Sequence, residues 1–283
     1  MTTLRGRTQP RAKSYSVVGN TRDAAVLRAL AWAGYLTTSQ VARLHFPSRR
    51  TAQRRLRALL DHAWVRSHLQ GPAVHVENVY TLRPKGIARL ESAGVAGVRP
   101  GRVPRPQKLA HGLAIRDIFV ALLLAERGGV FKVDDFRFDH DLSEEPVLRA
   151  AGIIPDGLAL VRAGGTRMTV GCEIDLGTET SRMLTAKLSA WRELLSSLAL
   201  GDAQLVLFAA REGRMRNLVH LASEVECPAS VVRLGDFVAA PEAQWSQLFA
   251  PGVRAARTAS EQKNVEFRAV SETEPPPFRI VTP

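Results

Sequence analysis

The sequence predicts a two-domain protein of mixed α and β structure, with a small helical domain ahead of a larger α/β domain. Its 283 residues correspond to about two domains of ordinary size. Hydrophobic residues make up 45% of the chain, enough to build real cores. Between the two predicted domains, the stretch Val95 to Lys108 holds three prolines and two glycines among basic residues, which predicts a linker.

The positive charge of the chain is unevenly distributed. The formal net charge is +12, yet the first 108 residues carry 20 Lys and Arg against 4 Asp and Glu. The remaining 175 residues carry 19 basic and 23 acidic side chains. This asymmetry indicates a polyanion-binding module joined to a body with a different role. Nucleic acid is the favoured polyanion, because the basic part contains no long amphipathic helix suited to a membrane surface.

The N-terminal domain is predicted at residues 21–94, after a flexible basic arm at residues 1–20. Apolar spacing and capping residues predict three helices, then a hairpin of two strands, then one more short helix. This order is typical of a winged helix-turn-helix domain. The predicted elements are helices over Thr21 to Gly34, Ser39 to His45 and Pro47 to His62, strands over Trp64 to Leu69 and Asn78 to Leu82, and a helix over Pro84 to Leu90.

The third helix of this domain has a polar face that suits double-stranded DNA. Opposite its apolar stripe, four long polar side chains fall within about a 100° arc. Arginine reads guanine and glutamine reads adenine, and either can hold phosphate. A solvated basic face is the alternative interpretation. The candidate DNA contacts are Arg50, Gln53, Arg54 and Arg57 on this face, Arg49 at the helix start, Arg66 at the base of the hairpin and His75 at its tip.

The second domain is predicted at residues 109–250, followed by a disordered tail at residues 251–283. Its pattern has the order α-β-β-β-α-β and then α-β. Of three carboxylates in this domain, Asp156 lies within one predicted strand, and Glu173 and Asp175 lie at the end of the next. Glu173 and Asp175 share a face because side chains alternate along a strand. With Asp156 they are candidate ligands for Mg²⁺, and Lys187 on the next helix is a candidate catalytic cation. Pairing of the strand-end carboxylates with Arg182 is the alternative.

This order and the P-D…E-x-D spacing resemble the PD-(D/E)xK nuclease-like, or restriction-endonuclease-like, fold. The pattern of that fold has lysine two residues after the glutamate, where this chain has Asp175. Lys187 replaces it only if its helix packs across the strand ends. The departure leaves hydrolytic activity open.

From Thr21 to Val232, the chain resembles the replication-relaxation family of plasmid and mobile-element proteins. The motifs that carry this resemblance are the basic helical domain, HGLAIRD with His111 and Asp117, PDG, CEIDLGTE and Lys187. The resemblance implies DNA binding in plasmid replication or relaxation, as an accessory to a replication initiator or relaxase. We expect a homodimer whose second domain is a degenerate nuclease fold used for dimerisation or partner contact.

Two other functions remain open: a Mg²⁺-dependent nuclease or nickase guided by the winged helix, and a transcriptional regulator. The sequence has neither a P-loop nor a GxGxxG motif, which argues against ATP-driven or dinucleotide chemistry. Its tyrosines stand apart from any histidine cluster, unlike the nucleophile of an autonomous relaxase. No apolar run of eighteen residues and no secretory signal are present, so we expect no membrane partner and a cytoplasmic location.

Overall fold

The protein is described here by a computed structural model covering residues 19–68, 77–163, 165–197 and 199–249. Most of the predicted arm, the hairpin tip with His75 and the predicted tail lie outside these residues. The chain forms two compact units that divide between Val120 and Ala121. The sequence placed the domain boundary at residues 108/109, and the division instead falls inside a long helix.

The first unit contains short helices and a three-stranded antiparallel sheet in the order β1-β3-β2. The two-residue strand β1 was not predicted, because it is defined by its pairing with β3 rather than by its own sequence. The elements are α1 (Thr21–Ala33), β1 (Leu36–Thr37), α2 (Thr38–His45), α3 (Arg49–Asp61), β2 (Val65–His68), β3 (Val79–Leu82) and α4 (Pro84–Glu91), followed by the first part of α5 (Pro106–Arg127).

Local capping explains where these helices begin and end. The Thr37 side chain accepts a hydrogen bond from the Gln40 backbone N–H, and the Gln40 side chain accepts one from the Thr37 N–H. This reciprocal capping box satisfies two backbone donors at the start of α2. Ser48 caps α3 through the Thr51 N–H. Gly34 ends α1 with a φ of +73°, which a side chain would disfavour.

The predicted linker packs against the first unit. Val98 is buried, and α5 already begins at Pro106. Gly101 lies so close to α1 that a Cβ atom there would stand 1.6 Å from the Gly34 carbonyl oxygen. Only glycine permits this approach, so the glycine in this stretch serves packing as well as turning.

The first part of α5 belongs to the first unit through the HGLAIRD segment. The buried Arg116 guanidinium donates to the Ala33 carbonyl oxygen at 3.0 Å and lies 3.6 Å from the centre of the Tyr35 ring. Asp117 accepts a hydrogen bond from Gln40 at 3.1 Å and pairs with Arg43 at 3.4 Å. Burial raises the pKa of Asp117, and these two partners offset part of that effect. The motif therefore attaches α5 to α1 and α2.

The second unit is built on a five-stranded mixed sheet in the order β4-β5-β6-β7-β8. Strands β4, β5 and β6 pair antiparallel, whereas β6, β7 and β8 pair in parallel. Its elements are β4 (Lys132–Phe138), α6 (Asp139–Leu142), α7 (Pro146–Ala150), β5 (Gly157–Ala163), β6 (Thr166–Asp175), α8 (Ser181–Ser196), β7 (Ala203–Ala209), α9 (Glu212–Glu224), β8 (Ala229–Arg233), α10 (Leu234–Ala239) and α11 (Pro241–Leu248).

Helices α8 and α9 pack on one face of this sheet and bury an apolar layer that includes Leu188, Trp191 and Leu218. Gly171 in β6 makes room for that layer, since a Cβ there would lie 2.4 Å from the Trp191 ring. The predicted element order of this domain is present, with short helices added. Of the helices in the described residues, none has both the length and the apolar character needed to span a bilayer.

Candidate functional site

The outer face of α3 presents three of the predicted DNA-contacting side chains to solvent. Arg50, Gln53 and Arg54 are exposed, whereas Ala52 and Leu56 on the opposite side of the helix are buried in the core of the unit. At 100° per residue the three exposed positions fall within about 100° of one another. Helix α3 therefore carries a compact face with two cations and one amide.

The other arginines of α3 have carboxylate partners. Arg57 pairs with Asp61 at 2.9 Å, one turn further along, so its charge is partly neutralised rather than fully displayed. Arg49 pairs with Glu77 at 3.4 Å while its side chain stays 55% exposed. Arg55, which the sequence did not single out, forms a bidentate salt bridge with Asp23. Asp23 is completely buried and also accepts from the Gly19 and Asn20 N–H groups.

The small sheet contributes one more predicted residue. Arg66 on β2 is exposed between the buried Val65 and Ser67, as strand alternation requires. The neighbouring His68 contacts the Thr81 hydroxyl at 3.0 Å, and burial together with Arg66 lowers its pKa. His75, the other predicted hairpin contact, lies outside the described residues.

The electrostatics of this unit follow from how few acids it has. Residues 19–68 and 77–108 carry 16 Lys and Arg against 4 Asp and Glu. Three of those acids, Asp23, Asp61 and Glu77, are already paired with arginines of α3. The charges of Arg50, Arg54 and Arg66 are thus left without a compensating carboxylate in this part of the chain.

In the second unit, Glu173 and Lys187 lie in direct contact. The Lys187 amine donates to Glu173 Oε2 at 2.9 Å, and the Trp191 indole N–H donates to Oε1 at 2.8 Å. Burial and the nearby Asp156 raise the pKa of Glu173 to about 8, and Lys187 limits the rise. Burial alone would lower the pKa of Lys187, but Glu173 and Asp156 raise it overall. Helix α8 therefore does bring Lys187 to the end of β6.

Asp175 has a different partner from the one that the sequence suggested. Its Oδ2 accepts a hydrogen bond from Arg214 Nε at 2.6 Å, and its Oδ1 accepts one from the Gly177 N–H at 2.7 Å. Arg214 also donates to the Glu179 carbonyl oxygen at 3.0 Å. Arg214 lies on α9, 39 residues further along the chain, and no local pattern marks it. Arg182, the predicted alternative, is exposed.

Asp156 lies just before β5, beside the end of β6. Its Oδ2 accepts a hydrogen bond from the Ile174 N–H at 2.8 Å. This contact joins the two strands at their register between Gly157 and Cys172. Asp156 is near enough to Glu173 to influence its pKa. The structure thus collects Asp156, Glu173 and Lys187, and it directs Asp175 toward Arg214.

The donor set of this carboxylate cluster fits a hard cation poorly. A Mg²⁺ site needs several oxygens aimed at one point, and here Glu173 and Asp175 each bind a protein cation. Within the described ranges, no group of three or more His, Cys, Asp or Glu side chains is arranged to hold a metal. What the arrangement does chemically is to place a protein cation beside each carboxyl group and to tie α8 and α9 to β6.

Comparison with known proteins adds the family. The sequence profile of the replication-relaxation family matches residues 27–203. A search of curated proteins returned no significant match. Among solved structures, the restriction endonuclease FokI matches with a TM-score of 0.28 and 13% identity, over 83% of this chain and 46% of that chain. The chain therefore spans less than half the length of FokI, and the similarity is too low to support an inference about either fold or activity.

The family match covers well over half of the chain and includes both units, from α1 to the start of β7. It supports a role in replication or relaxation in general. The protein belongs to the replication-relaxation family.

Proposed function

We propose that this protein binds double-stranded DNA through its first unit, acting as a winged helix whose recognition helix is α3. The observation that carries the proposal is the division of charge on α3. Arg50, Gln53 and Arg54 are exposed on one face, whereas Arg55 and Arg57 are bound to Asp23 and Asp61. A solvent-facing helix commonly carries polar residues, and what favours DNA here is that no carboxylate of the described residues pairs with Arg50 or Arg54.

The exposed set has the chemistry of a DNA contact. Arginine donates two parallel hydrogen bonds to guanine or to a phosphate, and glutamine matches the edge of adenine. Arg66 on β2 lies outside α3 and suits a phosphate, as the strands of a wing do. Because Arg57 is engaged with Asp61, we assign the main contribution on this face to Arg50 and Arg54.

A binding assay tests the assignment. Fluorescence anisotropy would compare wild-type protein with the variant Arg50→Ala/Arg54→Ala, on replication-origin duplexes and on random-sequence duplexes. The matched control is Lys85→Ala/Arg89→Ala, which removes two exposed charges from α4 of the same unit. We expect the α3 variant to lose about tenfold or more in affinity and the control to lose much less. Equal affinities for all three proteins would refute the assignment.

For the second unit we propose a degenerate nuclease-like fold that serves homodimerisation or contact with a replication initiator or relaxase. The proposal draws on the ion pairs that occupy Glu173 and Asp175. Light scattering of the full chain tests the homodimer, because a dimer would have twice the 30.9 kDa mass of one chain. A mass of one chain over the whole micromolar range would refute the homodimer and leave partner contact.

A second candidate function is a metal-dependent nickase, and one contact favours it. The Lys187 amine reaches Glu173 at 2.9 Å, so the cation that the β6 motif lacks is supplied by α8. Incubation of supercoiled plasmid with Mg²⁺ or Mn²⁺ would reveal nicked circles. Nicking that disappears in Glu173→Gln and in Lys187→Met would support the enzyme. Nicking that persists in both variants would assign it to a contaminant.

The biological context forms part of the same proposal: action in the cytoplasm on plasmid or mobile-element DNA. Immunoprecipitation of the protein from cells, followed by sequencing of bound DNA, distinguishes this from a transcriptional regulator. Enrichment at replication origins or transfer regions would support it. Enrichment confined to the protein's own promoter would instead support the regulator.

A further inference from the structure

Glu77 lies two residues before β3 and contacts the first turns of both α2 and α3. One carboxylate oxygen, Oε1, accepts hydrogen bonds from both the backbone N–H and the hydroxyl of Ser39, each at 2.7 Å. The same oxygen lies 3.4 Å from Arg49 Nη2 at the start of α3. Glu77 is itself only 22% exposed in its side chain, so it is held firmly by the first turn of α2.

Arg49 differs in this respect from the exposed arginines that follow it. Its side chain is 55% exposed and still has a carboxylate neighbour, whereas Arg50 and Arg54 form no ion pair within the described residues. A guanidinium group has five N–H donors in a fixed plane, so one contact with Glu77 leaves others available. Arg49 is thus restrained and able to bind at the same time.

A restrained arginine gains more binding free energy from a base contact than a freely rotating arginine does. A long side chain loses rotamer freedom when it is fixed, at a cost of up to about 2 kcal/mol, and a neighbouring carboxylate takes up part of that cost in the free protein. The two parallel hydrogen bonds to guanine depend strongly on orientation, whereas a contact with phosphate tolerates many orientations. Orientation by Glu77 therefore favours base contact over phosphate contact.

The charge of Glu77 acts in the same direction. A carboxylate beside the recognition helix repels any phosphate that approaches closely, so it weakens binding that has no base contact to offset the repulsion. Removing the charge would increase affinity for DNA of arbitrary sequence. It would also release Arg49 from its restrained position.

We infer that Glu77 is a positioning residue for DNA sequence discrimination, which holds Arg49 in place for contact with a base and penalises contact with phosphate alone. The inference rests on the proposed function, since it requires that α3 binds DNA. It assigns the two residues unequal roles: Arg49 touches the DNA, and Glu77 acts mainly by orienting Arg49, with a smaller direct repulsion of phosphate.

The test compares specific with non-specific binding. Duplexes enriched from a random-sequence pool on the wild-type protein serve as specific DNA, and poly(dI-dC) serves as non-specific DNA. We expect Glu77→Gln to bind poly(dI-dC) about twofold more tightly and to lose about threefold or more in the ratio of specific to non-specific affinity. The control Glu91→Gln makes the same charge change on α4, where the side chain is exposed, and should alter the ratio by less than twofold.

A double-mutant cycle separates positioning from a general effect of charge. In an Arg49→Ala background, Glu77→Gln should change the ratio much less, because only the direct repulsion between the carboxylate and phosphate is then removed. Thermal unfolding of each variant identifies any that fail to fold. The variant Ser39→Ala loosens Glu77 without changing charge, and it should lower the ratio of specific to non-specific affinity, as Glu77→Gln does.

The outcomes distinguish this inference from the proposed function. If wild-type protein binds neither DNA, or if Arg50→Ala/Arg54→Ala leaves binding unchanged, the proposed function fails. If wild-type protein discriminates and Glu77→Gln retains the full ratio, the inference alone is overturned. The same holds if the effect of Glu77→Gln persists undiminished in the Arg49→Ala background.

Discussion

Two adjacent residues of α3, Arg54 and Arg55, illustrate how one residue type takes opposite roles. Arg55 is turned toward Asp23, whose carboxylate is completely buried and would otherwise have only the backbone donors at the start of α1. Arg54 is exposed and forms no ion pair within the described residues. The position on the helix, rather than the residue type, decides whether the charge stabilises the fold or remains available for binding.

This difference predicts separable effects of the same substitution. Arg55→Met should lower the free energy of unfolding by about 3 kcal/mol, because it leaves a buried carboxylate without its cation. Arg54→Met should change that free energy by less than about 0.5 kcal/mol and should weaken DNA binding. Urea denaturation and anisotropy measure the two quantities. Comparable loss of stability in both variants would contradict the assigned roles.

Glu173 provides a pH-dependent prediction. Burial and Asp156 raise its pKa to about 8 in the folded protein, above its usual value near 4.3 when unfolded. A raised folded pKa means that the folded state binds the extra proton, so stability is greatest below the unfolded pKa and falls as pH rises through about 8. Glutamine at this position has no proton to lose.

We therefore expect wild-type protein to lose stability relative to Glu173→Gln between about pH 4.5 and 8, by at most about 1.4 kcal/mol per pH unit. Denaturation curves recorded across this range for both proteins give the difference directly. A difference that is flat, or that grows in favour of wild type with rising pH, would show that Glu173 is not the group described.

At the scale of elements, the packing of α5 explains why its sequence has glycine at position 112. Gly112 faces Tyr35 so closely that a Cβ atom would stand 2.0 Å from the phenolic oxygen. Gly112→Ala should therefore destabilise the first unit, by about 1–3 kcal/mol, as overpacking does. Removing the obstructing oxygen with Tyr35→Phe should recover part of this loss in the double variant, measured by denaturation as a coupling free energy. Strictly additive losses would argue against this contact.

The ends of α1, α2 and α3 could be predicted from sequence because their signals are local. Thr37, Ser48 and Gly34 act on backbone groups within a few residues, so each capping residue is adjacent in sequence to the helix end that it determines. Strand β1 and the packing of Gly101 on Gly34 depend on contacts between distant segments. Nothing in the immediate sequence specifies them, so the Pro and Gly content from Val95 onward predicts only a linker.

Some contacts of the carboxylate cluster can likewise be predicted from local sequence, and others cannot. The shared face of Glu173 and Asp175 follows from strand alternation, and the reach of Lys187 follows from a helix that returns over its own strand. The partner of Asp175 is Arg214, on a helix one strand further along the sheet. Its arrival depends on the parallel pairing of β6 with β7, which is a property of the folded sheet.

At the scale of the whole molecule, the net charge of +12 is the sum of a strongly basic N-terminal part and a slightly acidic remainder. In the first unit, Asp23, Asp61 and Glu77 form ion pairs with arginines of α3, and other cations stay exposed. The second unit holds some of its cations beside the buried carboxyl groups of Glu173 and Asp175. The surface excess of positive charge therefore lies on one unit, and long-range attraction to a polyanion should be a property of that unit.

The salt dependence of DNA binding tests whether the first unit carries the interaction. Each phosphate contact releases a condensed counterion, so the logarithm of the binding constant should fall linearly with the logarithm of salt concentration. Arg50→Ala and Arg54→Ala should each reduce the steepness of that line by about one unit if the residue contacts a phosphate. Arg149→Ala, which removes an exposed cation from α7 of the second unit, should leave it unchanged. Anisotropy titrations at several salt concentrations give the slopes, and an equal reduction in all three variants would show that the charge of the whole chain, rather than the first unit, governs the interaction.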